Sequence, residues 1–206
     1  MRRVIRHHTT LLDLVQIVQD HAGSDAEVVA VITHMPSSTP VVAPDGSILY
    51  GVVNAIDSRG DLLKLNSSGQ YLTKYGFGWD ITPAIYPHDS TYSVILKDNH
   101  YDTGGPYFIT QLSADLVPEW QFKNTTIDGG HPNGYEWCVN APAVDANGTV
   151  YVNSEDGSAY VIQQGGTLQG KLFLRRAVGA AYTPIAIGQD GKIYTENDGD
   201  MFVLGQ

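Results

Sequence analysis

The stretch "NAPAVDANGTVYVNSEDGSAYVI", Asn140 to Ile162, decides the fold. Pro142 is followed by a short apolar run, the turn dipeptide Asn147-Gly148, the alternating run Thr149–Ser154, a second turn at Asp156-Gly157 and another alternating run, Ser158–Gln163. Alternation with a period of two suits half-buried strands, and Asn-Gly tolerates the positive φ of a tight two-residue hairpin. The stretch therefore predicts strands A (Ala143–Asp145), B (Thr149–Ser154) and C (Ser158–Gln163), with a fourth, D, near Leu168–Leu174.

The same pattern occurs three more times, at "STPVVAPDGSILYGVV" from Ser38, "ITPAIYPHDSTYSVIL" from Ile81 and "YTPIAIGQDGKIYTEN" from Tyr182. The anchoring prolines are Pro40, Pro83, Pro142 and Pro184, spaced by 43, 59 and 42 residues. A period near 42 fits a four-stranded propeller blade, and the long interval reads as one blade carrying insertions. A lone sheet of this size leaves its apolar faces open, whereas blades stacked around an axis cover them. The expected fold is all-β, a partial or small β-propeller of about four four-stranded blades over residues 26–206. Residues 1–25 form a lead-in, a strand remnant or a short helix, with Leu11, Leu12, Leu14, Val15 and Val18 fitting either. The last unit ends without a strand D, and "AEVVAVITHM" (Ala26–Met35) has the character of one. Either that strand closes a small ring, or the propeller is partial and self-associates through open blade edges; the partial reading is favoured.

Bulk composition narrows the function. Of 206 residues, 42% are apolar, enough for a core, and the net charge of −10 argues against nucleic acid and anionic membranes as partners. No stretch approaches the length of a membrane-spanning helix, and the N-terminal region, basic at Arg2, Arg3 and Arg6, lacks the apolar core and cleavage site of a signal peptide. Cys138 is the single cysteine, which excludes an intrachain disulfide and a multi-cysteine metal site; before an A strand it reads as a small core hydrophobe.

The unit "APAVDANGTVYVNSEDGSAYVI" resembles the PQQ-like, quinoprotein-type propeller repeat, and "LSADLVPEWQF" (Leu112–Phe122) is similar to its outer strand, with Trp120 as the docking tryptophan and Tyr75 in the corresponding place of "LNSSGQYLTKYGFG". "HPNGYEWCVNAPAVDANG" also resembles uncharacterised bacterial quinoprotein-like proteins. The repeat is shared by quinone-dependent dehydrogenases, the outer-membrane assembly lipoprotein and secreted proteins of unknown role, so the resemblance implies fold strongly and function weakly. It implies a periplasmic or secreted location. The dehydrogenases hold a quinone with calcium, often under a ring of two adjacent cysteines and on a tryptophan; Cys138 has no cysteine neighbour, and Trp79, Trp120 and Trp137 read as packing between blades.

The expected function is therefore a non-catalytic binding or scaffold module with no cofactor; the alternative is a fragment of a quinone-dependent dehydrogenase, with PQQ and calcium as its cofactors. Candidate contacts lie in the two polar stretches that lengthen the second blade, "KDNHYDTGGP" (Lys97–Pro106) and "KNTTIDGGHPNGYEW" (Lys123–Trp137). Asp98, His100 and Asp102 alternate, so a strand would put them on one side, and Asp128, His131 and Trp137 extend the candidate ligand site. Carboxylates suit a hard cation and imidazoles a transition metal, although no standard metal spacing is present. The turns "DANGT" and "SEDGS" lack a calcium-loop frame, and Asn66, Asn124 and Asn147 match the glycan acceptor pattern without further support.

Overall fold

The computed structural model describes residues 38–53, 60–78, 81–100, 104–176, 178 and 183–205. The lead-in and the strand expected at Ala26–Met35 lie outside the described residues. Blade 1 contains β1 (Val41–Val42), β2 (Ile48–Val53), β3 (Gly60–Leu65) and β4 (Tyr71–Phe77). Blade 2 contains β5 (Ala84–His88), β6 (Thr91–Asn99), β7 (Tyr107–Ser113) and β8 (Pro118–Lys123). After β9 (Val139–Ala141), blade 3 follows as β10 (Ala143–Val144), β11 (Val150–Asn153), β12 (Ser158–Gln163) and β13 (Thr167–Phe173). Blade 4 has β14 (Thr183–Ile187), β15 (Ile193–Asn197) and β16 (Asp200–Leu204), and takes β9 as its fourth strand. The fold is thus a β-propeller of four four-stranded sheets, as the repeat predicts. The third blade's strands fall within two residues of their expected bounds.

β9 is the element that the repeat does not announce. It runs parallel to β14, with Val139 opposite Thr183 and Ala141 opposite Pro184. A register shift falls at the Thr183/Pro184 step, so the proline sits at an irregularity that tolerates its missing N–H. Related bonds join the segments ahead of the other A strands. The Thr82 amide donates to the Asn140 carbonyl at 2.8 Å, and the Thr183 amide to that of Cys138 at 3.3 Å.

The turn chemistry differs from the two-residue hairpins expected of Asp45-Gly46, Asn147-Gly148 and Asp190-Gly191. Only the glycine of each pair has positive φ, at 80°, 81° and 75°. Its amide donates three residues back, to Ala43, Asp145 and Gly188 respectively, so each connection is a three-residue loop. A β-bulge geometry needs one left-handed residue, whereas a two-residue type I′ turn needs two. Blade 2 does make the two-residue turn, and makes it without glycine: Asp89 (φ 44°) and Ser90 (φ 63°) lie between the paired residues His88 and Thr91. Each such residue costs about 1–2 kcal/mol in the left-handed region.

Two apolar clusters cement the blades. Leu49, Leu62, Val94, Leu96 and Leu112 join blades 1 and 2. Ile95, Ile109, Phe122, Trp137, Val152, Tyr160 and Ile162 join blades 2 and 3 and reach Ile185 of blade 4. The first contact is close: a Cβ added to Gly51 would lie 2.2 Å from the Ile81 carbonyl oxygen, so β2 can pass the neighbouring backbone only as glycine. Met201 and Val203 on blade 4 remain exposed.

Candidate functional site

In an antiparallel meander the A–B and C–D turns share one face, and the B–C and D–A connections share the other. Both enlarged segments of blade 2 are of the second kind, so they emerge together. Asn133 Nδ2 donates to the Gly104 carbonyl at 3.0 Å and ties one to the other.

The predicted residues separate into two groups. Lys97, Asp98 and Asn99 belong to β6 and are buried rather than solvated in a loop, because this strand runs nine residues. Asp98 is fully buried, and its Oδ2 accepts from Tyr75 Oη of blade 1 at 2.7 Å, Thr110 Oγ1 at 2.9 Å and Gln121 Nε2 at 3.2 Å. His100 Nε2 lies 2.8 Å from the other oxygen, Oδ1. Alternation does place Asp98 and His100 on one side, and Asp102 lies outside the described residues. Burial, then the Asp98 charge and its hydrogen bond, push the Tyr75 hydroxyl well above its ordinary value. The carboxylate thus accepts donors from two blades, which makes it a joint between them.

The second group is nearer the surface. Asp128 Oδ1 caps the amides of Gly130 and His131 and lies 3.0 Å from His131 Nδ1; its Oδ2 accepts from the Tyr135 hydroxyl. The His131 ring stacks on Tyr135 with centroids 3.7 Å apart. Arg176 crosses from the end of blade 3, 5.4 Å from the Tyr135 ring centre and 3.6 Å from Asp128 Oδ2. Hydrogen bonds from Tyr135 and His131 hold the Asp128 carboxyl well below the usual carboxylate range, and the same bond raises the Tyr135 hydroxyl. Ile127, next to Asp128 in the chain, and Val178, two residues past Arg176, are both exposed.

Behind the knot lies a polar network with no place in the sequence-derived site. Asp156 is buried; it accepts from Tyr160 Oη at 2.5 Å and from Thr126 Oγ1, and pairs with Lys171 at 2.9 Å. Burial opposes its ionisation, but these hydrogen bonds outweigh it and keep the carboxyl below its ordinary value. Trp137 is fully buried, edge-on to Tyr160 at 5.0 Å and tilted against Phe122 at 6.0 Å. Asn99 bonds both backbone groups of Trp137, donating to the carbonyl at 2.9 Å and accepting from the amide at 3.1 Å. Cys138 is buried against Thr183, and burial pushes its thiol up to about 12. Trp120 packs where the repeat pattern puts a docking tryptophan: a Cβ on Gly166 of the β12–β13 turn would lie 3.3 Å from its ring.

Among the described residues, no group of three or more His, Cys, Asp or Glu side chains is placed to hold a metal ion. Trp137 and Cys138 do not fit a stacked quinone, because the ring is enclosed by core side chains and the neighbouring thiol is a core group, while Trp79 lies outside the described residues. Among the described residues, no helix is long and apolar enough to cross a membrane.

No protein-family model and no curated protein matches the sequence. Solved structures do. The C-terminal WD40 domain of Sif2 matches with a TM-score of 0.54 at 16% identity, over 82% of this chain and 43% of that one. A protein of unknown function from Bacteroides caccae matches at 0.50 and 13%, over 85% and 58%. BamB from Moraxella catarrhalis gives 0.49 and 15%, over 84% and 51%. The chain spans about half the length of the solved structures it matches. At these identities the likeness concerns fold alone, and on fold it agrees with the sheet order: this chain is a β-propeller.

Proposed function

We propose that this chain is a non-catalytic binding module whose contact surface is the enlarged loop face of blade 2, centred on Asp128, His131 and Arg176. The observation that carries the reading is the Asp128–His131–Tyr135–Arg176 knot, which ties the D–A connection of blade 2 to the end of blade 3, with exposed Ile127 next to Asp128 in the chain and exposed Val178 two residues past Arg176. A tied arginine and imidazole with exposed apolar side chains close in the chain is the composition of a protein contact, where few groups need ordering on association. The chemistry around it favours binding over catalysis. A nucleophile needs an accessible, activated group. Cys138 is buried with a raised thiol, and the Asp98 and Asp156 carboxylates accept from neighbouring side chains within the fold.

Site-specific photocrosslinking tests it. A benzophenone side chain at position 127, in the cells that make the protein, is expected to give a discrete adduct; one at exposed Tyr71 of blade 1 serves as the control. Equal adducts at both positions, or none at 127, would remove the proposal. Incubation with quinone and calcium tests the dehydrogenase alternative, and dye reduction with turnover would replace the binding reading.

A further inference from the structure

On the opposite face, between blades 1 and 2, lies an open pocket of about 590 Å³. Its walls include Pro44, Pro87 and Tyr92, with Asp45, His88 and Asp89 among its polar groups. It lies beside the two-residue turn of blade 2, where the other three blades carry three-residue glycine loops.

The aspartates of the other A–B turns are accounted for by the fold. Asp45 caps the Ser47 amide at 2.9 Å, accepts from Tyr92 Oη at 2.9 Å and pairs with the buried Lys64 at 3.2 Å. Asp145 caps the amides of Asn147 and Thr149, and its second oxygen accepts from Tyr151. Asp190 caps Lys192 and accepts from Tyr194. Asp89 has no such role. Its side chain is 95% exposed, and among the described residues its close polar approach is to His88 Nδ1 at 3.5 Å. His88 is held from behind, stacked on Tyr86 at 4.8 Å with Nε2 2.8 Å from Ser93 Oγ, while Ser93 donates to Glu119 at 2.7 Å. Ser93 is fully buried and its proton is committed to Glu119, so the Asp-His-Ser order is not a nucleophilic triad.

The pocket thus pairs proline and tyrosine walls with a carboxylate that, among the described residues, caps no turn amide and approaches only the neighbouring His88. Asp45 is balanced by Lys64, which leaves the charge at Asp89 as the pocket's excess, on a chain of net charge −10. We infer that this pocket binds a cationic side chain, a lysine ammonium or arginine guanidinium from a peptide partner, with its alkyl stem against Pro44 and Pro87 and its charge on Asp89. The stem and head of such a side chain suit a lining that holds both prolines and an exposed carboxylate, since long cationic residues lay their methylenes on apolar surface while keeping the charge solvated.

The test uses the full chain, a lysine-containing tetrapeptide and the same peptide acetylated on the lysine, read by amide chemical-shift titration. The inference expects shifts at Asp45, Asp89, Ser90 and Thr91 with the free lysine and none with the acetylated one. Asp89→Asn keeps a residue suited to the left-handed conformation, so the fold is retained, and affinity should fall by about threefold to fivefold, the size of one exposed ion pair. Asp190→Asn, a charge control in blade 4, should bind as the parent does. Shifts spread over all acidic turns, equal binding of the acetylated peptide, or a D89N variant that binds unchanged would each overturn it. The outcome is independent of the loop face, because the photocrosslinking positions lie elsewhere.

Discussion

Blade 3 and blade 2 are copies of one pattern, and they use it differently. In blade 3 the A–B and B–C turns are each closed by glycine and aspartate, and buried Asp156 and Tyr160 join Lys171 in a network completed by Thr126 from the D–A connection of blade 2. Blade 2 keeps the strands but changes both ends. One end gains two enlarged loops, and the other exchanges a glycine turn for Asp89-Ser90. Length alone does not mark function within it. Asp98 and Trp137 fall in the added stretches and serve the core, whereas His131, Arg176 and Asp89 reach the surface.

The comparison breaks most severely at Trp137. Trp137→Ala should cost about 3–5 kcal/mol in denaturant titration, because the ring fills the contact between the blades. A loss below ~1 kcal/mol would mean that the enlarged segment is not part of the core. Asp98→Ala should cost about 3 kcal/mol, since three neutral donors and His100 lose their acceptor at once.

Titration sharpens the contrast at both ends of the pH scale. The Asp156 and Asp128 carboxyls have lowered folded values, so their stabilisation is present above the ordinary value of 3.8 and is lost as pH falls through the folded values. Acid unfolding followed by fluorescence should therefore begin below about pH 4. Cys138 acts in the opposite range. Its thiol is raised from 9.0 to about 12, so the unfolded state ionises first and stability declines as pH rises between these values. At pH 8 the thiol should react with iodoacetamide only as fast as the chain opens; rapid labelling of the native protein would place it at the surface.

The smallest effect has the opposite sign. Ser90→Gly relieves a left-handed residue and should stabilise by about 1 kcal/mol, measured by thermal melting, whereas the same turn positions in blade 3 are already optimal. No gain would mean that the turn stores no strain.

The strands were legible because alternation and turn dipeptides are local signals. Pro142, Asn147-Gly148 and Asp156-Gly157 bracket β10 to β12 within a residue or so. The turn type was not legible: Asp-Gly and Asn-Gly serve two loop lengths, and hydrogen bonding across the hairpin chooses between them. β9 escaped notice because its three residues pair in parallel with a strand more than forty positions away, which leaves no periodicity behind. In the candidate site, Asp128 and His131 were visible only as polar residues of a long loop, not as partners of each other. Arg176 and Tyr135 were not, since stacking and cation–π contact across blades have no spacing rule. The alternation of Asp98, His100 and Asp102 gave no sign of the length of β6, which buries the first of them.

β9 also bears on how such a chain is copied and cut. Counted by sequence, a unit runs from one proline to the next. Counted by sheet, blade 4 borrows its innermost strand from the three residues ahead of Pro142, on the far side of blade 3. A duplication or excision drawn at the prolines would leave one sheet a strand short and orphan another strand. The heritable module and the mechanical module are offset from each other, and recombination that respects only the first would separate two blades that share a seam.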